Sequence, residues 1–396
     1  MSQELKLTTM VFRKLFGRKP QTDKEEKAMK ENNVNEPKTE AKEGSTSVYH
    51  LIVLDESGSM TCVTHQTISG CNETIQTIRM MQENNKDTQV HYVSIYLFES
   101  GNSRYIIHNQ PVAEVKDITH RDYCPNGCTP LFDALGFTLT ELKEIMGTPD
   151  TLGYVTIITD GEENASRRYF MSQIRNLIDE LKKRDVIFSF IGANIDAAEY
   201  AKSLNISNSM QFVQDDEGTR AMWERERSGK MRSSSKYSFM KKFHPDAFGS
   251  FCMSENSGNY YSEDIDCGRV ASSHITSLNP GEIFVFGSHI DGHHSGGAAG
   301  YAKAHFGAIE GQAEGLQGQS YAIPTDGVSE KELYQAVHRF CDFAASHPEL
   351  TFHVTAIGCG NAGYSAYSVA PMFSHAVKLD NVKLPKDFWT FLTFSL

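Results

Sequence analysis

No stretch of the chain approaches the ~20 consecutive apolar residues that a membrane-spanning helix needs, and the N-terminus lacks the charged-then-apolar layout of an export signal. These absences exclude a helical membrane span and lead us to expect a soluble, cytoplasmic protein. Cysteine is scarce: eight in 396 residues cannot supply a disulfide scaffold, so reduced thiols are expected. Positive charge is also short, with 38 Lys and Arg against 50 Asp and Glu and a formal net charge of -12. That balance argues against a partner held by its phosphate backbone, and nucleic acid is not an expected ligand. No Gly-Lys-Ser/Thr signature is present, which excludes the nucleoside triphosphatase loop, and no internal repeat is visible.

What remains is ordinary globular composition, 39% hydrophobic and about 47% with glycine included, over a length that predicts two or three domains. Residues 1–47 carry ten basic and eight acidic side chains and read as a disordered charged arm. Within the arm, residues 10–19 form a short basic, apolar patch that reads as a partly ordered terminus. From residue 48 the pattern changes. Apolar, β-branched runs at 48–54, 91–98, 154–159 and 186–191 read as strands, separated by helical patterns at 67–84, 130–146 and 166–183. Strands alternating with helices predict an α/β doubly wound module over 48–212, with its ligands at the carboxyl ends of the strands. Residues 213–279 read as a helical appendage, chiefly 216–242, and a linker. A second α/β pattern begins near Gly281 and fills 280–396, so the expected fold is two three-layer α-β-α modules joined by a helical linker.

The first strand runs into Asp55-Glu56-Ser57-Gly58-Ser59, placing a carboxylate and two hydroxyls at alternate positions of one turn. A loop opening the second helix offers Thr129 in Gly-Cys-Thr-Pro-Leu-Phe-Asp-Ala, and the run 154–159 ends in Asp160-Gly161. An all-oxygen set of low charge suits a hard divalent cation, which wants near-octahedral oxygen ligands. The three pieces in this order resemble the von Willebrand factor A domain with a complete metal-ion-dependent adhesion site. The resemblance implies Ser57, Ser59 and Thr129 as direct or near-direct ligands of Mg2+ or Mn2+, with Asp55 and Asp160 completing the shell, often through water. It further implies binding rather than chemistry: a metal left open to an Asp or Glu of a protein partner. Cys62, Cys71, Cys124 and Cys128 fall near the same loops, as ordinary thiols or, alternatively, as a zinc or redox group.

In the second module a strand pattern, 281–287, leads into Ser288, His289, Asp291, His293, His294, Ser295, Gly296, Gly297 and Ala298. A second run, 351–357, ends in Gly358-Cys359-Gly360-Asn361-Ala362-Gly363-Tyr364. Glycine lets backbone N–H groups crowd toward an oxyanion, and a helix starting at Gly297 would add its positive end. Two such loops could cradle a diphosphate. The order resembles the macrodomain superfamily, and the wording, including Gly-Leu-Gln-Gly-Gln-Ser-Tyr-Ala-Ile-Pro-Thr over 315–325, is closest to a macro-like module of bacterial and phage proteins. This implies an ADP-ribose-like ligand, with Gly287, Ser288, His289 and Ser295 to Ala298 on one side and Gly358 to Tyr364 on the other. The Asn-Ala-Ala-Asn loop of better-known macrodomains is absent, and His289 stands where the closer relatives tend to have Asn. If the module were an ADP-ribosyl hydrolase or a nucleotide-sugar phosphate-processing enzyme to which the first module delivers the target, Asp291 or His294, and more weakly Asp326, would be the candidate bases. A zinc site of His289, Asp291, His293, His294 and Cys359 is the other reading of this loop, and plain tight turns are the structural one.

Overall fold

The computed structural model describes residues 45–147, 150–248, 260–261 and 267–392. The basic patch at 10–19 and most of the 1–47 arm lie outside the described residues, as does most of the turn-rich stretch at 251–269.

Six strands form the first sheet: β1 (Thr46–Asp55), β2 (Gln89–Phe98), β3 (Arg104–Pro111), β4 (Thr151–Thr159), β5 (Val186–Gly192) and β6 (Asn208–Gln211). Their order is β3-β2-β1-β4-β5-β6, and every pairing is parallel except β2 with β3. Parallel strands covered on both faces must be apolar throughout; Ile52, Val53 and Leu54 of β1 are accordingly fully buried. Helices α1 (Thr64–Asn84), α2 (Leu131–Ile145), α3 (Met171–Lys182), α4 (Ala197–Ser203) and α5 (Asp216–Phe243) complete the module. Leu131 and Leu135 of α2 pack with Ile174 and Ile178 of α3 on one face, and Ile75 of α1 packs with Trp223 of α5 on the other.

A short α6 (Pro245–Phe248) follows, and then the second sheet: β7 (Glu282–His289), β8 (Gly315–Gln317), β9 (Ser320–Asp326), β10 (Thr351–Val354) and β11 (Val382–Lys383). The order is β11-β10-β7-β9-β8, antiparallel only between β8 and β9. Helix α7 (Gly297–His305) covers one face; α8 (Glu330–Ser346), α9 (Ala366–Val369), a 3-10 segment (Ala370–Lys378) and α10 (Lys386–Leu392) cover the other. The molecule is therefore mixed α/β, with two mainly parallel sheets flanked by helices.

Three expectations shift. The third helix starts at Met171 rather than residue 166, because residues 166–170 are pinned as a loop by Asp133, whose carboxylate accepts from the backbone N–H of Arg167, Arg168 and Tyr169. Strand β3 has no counterpart in the sequence reading; it is a half-polar edge strand with little alternation. The 216–242 stretch is helical as expected, yet it packs into both modules: Met222 and Trp223 join the first core, Phe239 and Met240 the second.

In each sheet the chain reverses its direction of winding beside one central strand, between β1 and β4 and again between β7 and β10. Such reversals open a crevice at the carboxyl ends of the strands. Both sets of sequence motifs sit at the carboxyl ends of these strands.

Candidate functional site

The first site gathers its residues from three loops. Asp55 ends β1 and is buried; its Oδ1 accepts from the backbone N–H of Ser57 at 2.8 Å and its Oδ2 from the Thr159 hydroxyl at 2.6 Å. Ser57 Oγ lies 3.1 Å from Ser59 Oγ, which donates to Asp160 Oδ1 at 2.7 Å. Thr129 is buried beside them, its hydroxyl 3.7 Å from where a side chain on Gly161 would begin. Burial pushes the Asp55 carboxyl up to about 6, against the pull of the Thr159 and Ser57 hydrogen bonds, and the nearby Asp160 adds to the rise.

These residues fit a hard divalent cation. Neighbouring oxygens in an octahedral shell with ~2.1 Å bonds lie about 3 Å apart, and the Ser57–Ser59–Asp160 oxygens are spaced at 3.1 and 2.7 Å. The donor set is oxygen only.

Residues outside the motifs hold the loops together. Glu56, between the two motif positions, is buried; its carboxylate takes Arg104 Nη1 at 2.6 Å and the backbone N–H of Cys124 at 2.7 Å, while its carbonyl accepts from Asn126 N at 2.7 Å. That fastens the Thr129 loop to the Asp55 loop. Asn164 exchanges two hydrogen bonds with the Thr129 backbone, and Glu163 accepts from the Phe132 N–H at 2.8 Å. Gln214, which follows β6, donates from Nε2 to Asp160 Oδ2 and to the Ser59 carbonyl. A polar residue standing just before a helix N-cap was the only sequence signal for Gln214.

Cys62, Cys124 and Cys128 are exposed free thiols near these loops, whereas Cys71 is buried in α1 and burial pushes its thiol well up. Among the described residues no three His, Cys, Asp or Glu side chains are gathered to hold a metal. Neither zinc alternative, at the cysteines or in the histidine loop, finds such a cluster.

At the second crevice the two glycine loops face one another across a cleft of about 480 Å3. Gly287, Ser288, His289, Ser295, Gly296, Gly297 and Ala298 line one side, and Gly358, Gly360, Asn361 and Ala362 the other. Gly297 at φ +55° and Gly358 at φ +73° occupy the left-handed region that glycine adopts freely. Side chains at Gly296, Gly297 and Gly360 would meet nothing within 4 Å, so backbone borders open space there. Helix α7 begins at Gly297, directing its N-terminal N–H groups to this edge. An apolar chamber of about 760 Å3, lined in part by Ile275, Phe284, Tyr301 and Val354, adjoins the cleft and shares Gly297, Ala298, Thr355 and Ala356 with it.

Other expected residues stand apart. Cys359 and Gly363 do not line the cleft, nor does Tyr364, whose hydroxyl donates to the Val328 carbonyl at 3.4 Å. Burial pushes the Cys359 thiol up to about 11. Asp291 is exposed, with Oδ2 3.4 Å from His289 Nδ1. His294 is buried edge-on against Phe286 at 5.1 Å, and neither ring nitrogen has a hydrogen-bond partner. Asp326 does line the cleft.

Among the described residues no helix is long and apolar enough to cross a membrane. No family model matches the sequence, and no curated protein matches it. Over its N-terminal half the chain is similar to several solved structures. One is the manganese-loaded TRAP protein of Plasmodium vivax, at 17% identity and a TM-score of 0.31, covering 45% of this chain and 72% of that one. A second is the SpRpn10 VWA domain, at 9% identity and a TM-score of 0.32, covering 45% and 93%. A third is the pilus adhesin SpaC of Lactobacillus rhamnosus GG, at 11% identity and a TM-score of 0.36, covering 47% and 30%.

Proposed function

We propose that the first module captures a protein partner through Mg2+ or Mn2+ held by Asp55, Ser57, Ser59, Thr129 and Asp160, and that the second module binds ADP-ribose or a related nucleotide between its glycine loops. The observation that carries the first half is the oxygen cluster, with Ser57 Oγ, Ser59 Oγ and Asp160 Oδ1 spaced like adjacent corners of one coordination shell. Three of the five donors are neutral hydroxyls, so a bound cation would supply residual positive charge toward a partner's Asp or Glu. Asp55 orients the cluster through Ser57 N–H and Thr159, and Glu56 with Arg104 fixes the loop that brings Thr129. Mn2+ titration of the full chain is expected to give one site that Asp160→Ala or Asp55→Ala abolishes. Arrayed peptides containing Asp or Glu should be captured in Mg2+ and released by EDTA; capture that persists in EDTA would sink this reading.

The second half is supported by the open backbone edges at Gly296, Gly297 and Gly360 around one cleft. Calorimetry on the full chain should show binding of ADP-ribose, which Gly296→Asp abolishes by placing a carboxylate where a phosphate would sit. Absence of heat with ADP-ribose, NAD and AMP alike would defeat it. The alternative, an ADP-ribosyl hydrolase, is favoured by Asp326, the carboxylate that lines the cleft. Release of free ADP-ribose from a modified protein separates that activity from binding alone.

A further inference from the structure

One residue outside the three motif segments reaches into the oxygen cluster. Gln214 lies between β6 and α5, next to Asp215, whose side chain caps α5 by accepting from Gly218 N–H. Its Nε2 donates to Asp160 Oδ2 at 2.5 Å and to the Ser59 carbonyl at 2.9 Å, so a single amide ties the first motif segment to the third. An amide has one accepting end and one donating end. The accepting end, Oε1, is taken by Asn194 Nδ2 at 2.7 Å. Asn194 sits at φ +56°, a conformation that Asn tolerates better than most residues. Asp160 Oδ2 and the Ser59 carbonyl can only accept, so they hold the donating end of Gln214 and Asn194 backs its accepting end; the N–H on Oδ2 leaves Oδ1 facing Ser59 Oγ at 2.7 Å.

We propose that Gln214, bridging Asp160 and the Ser59 carbonyl, is a positioning residue for a hard divalent cation at this site, an inference that rests on reading the cluster as a cation cradle. Hydrogen-bond partners of metal ligands typically govern affinity by about 10–100-fold.

The test titrates the full chain with Mn2+ and follows free and bound ion by electron paramagnetic resonance, with melting temperatures recorded in the absence of metal. Gln214→Ala is expected to weaken Mn2+ binding about tenfold. Asn194→Gly tolerates the left-handed backbone and removes only the support on Oε1, so it is expected to weaken Mn2+ binding less than Gln214→Ala, which removes the donor to Asp160. A purely structural role would lower the metal-free melting temperatures without that ordering of affinities. Wild-type affinity in Gln214→Ala overturns the proposal, as does Asn194→Gly binding Mn2+ more weakly than Gln214→Ala. A wild-type chain that binds no Mn2+ overturns the cradle and the positioning role together, a result distinct from Mn2+ binding that ignores Gln214.

Discussion

Beneath the first site, two histidines are held neutral by the fold. His50 Nε2 lies 3.0 Å from His91 Nδ1, and His91 Nε2 lies 3.0 Å from Gln89 Oε1. Both rings are buried, and His50 stacks on Tyr154 at 5.1 Å. Burial lowers His91 to about 3; His50 is lowered as well, by burial first and then by His91 and Lys230. A histidine depressed in the folded state contributes stability above its unfolded pKa of 6.5, and that stability is lost as pH falls toward the folded value. At pH 5 the His91 contribution should have fallen by about 2 kcal/mol, since each pKa unit is worth ~1.4 kcal/mol. His91→Gln should flatten the urea-measured stability between pH 7 and pH 5 relative to the wild-type chain; parallel pH profiles would refute it. The same scale shows what the sequence made legible. Asp55, Ser57 and Ser59 share one turn, so their convergence was readable from spacing. Glu56, Asn164, Asn194 and Gln214 act on residues 20 or more positions away, and no local pattern announces such pairings.

Among the elements, helix α5 departs most from what its sequence suggests. A stretch this charged reads as a solvated helix, and its span was indeed legible from residue 216 onward. Its burial was not. Glu226 and Lys230, one turn apart, are 0% and 1% exposed and pair at 2.8 Å. Glu226 also accepts from Thr156 Oγ1 at 2.6 Å and from the Tyr261 hydroxyl at 2.7 Å, and Lys230 donates to Thr156 Oγ1 at 2.6 Å. Burial alone would raise the Glu226 carboxyl; Lys230 and the hydroxyls outweigh it and hold it below its ordinary value. Gly70 of α1 makes the approach of α5 possible, because a Cβ there would stand 2.2 Å from the Trp223 ring. Removing one member of a buried ion pair leaves an uncompensated charge at a cost of about 3–5 kcal/mol. Glu226→Gln should lower the urea midpoint accordingly, and the double change Glu226→Leu with Lys230→Met should recover most of the loss. A single variant as stable as the wild type would show that Lys230 finds another partner.

For the whole molecule, the question is whether the two sheets fold as one unit. Reading 213–279 as a linker predicts two independent transitions. The contacts of α5 predict one. Phe239 and Met240 of α5 belong to the second core, and Met222 and Trp223, several turns earlier, belong to the first. Tyr367, which follows the second glycine loop, puts its hydroxyl 2.8 Å from Asn85 Nδ2 and 2.7 Å from Ser234 Oγ, while Ser235 Oγ donates to the Tyr367 carbonyl. Ser365 Oγ reaches Asn84 Oδ1 at 3.1 Å. The C-terminal end of α1, the middle of α5 and the start of α9 thus meet at one buried phenol. Deleting that hydroxyl leaves Asn85 and Ser234 short of a partner in a buried setting, at about 1–3 kcal/mol. Calorimetric melting of the full chain should therefore give a single transition, and Tyr367→Phe should shift it downward as one. Tyr367→Ala combined with Ser235→Ala removes the ring as well as both hydroxyl links, and is expected to split the melt into two transitions. Two transitions in the wild-type chain would mean that the α5 contacts are too weak to couple the sheets, and each module would then have to answer for its own stability.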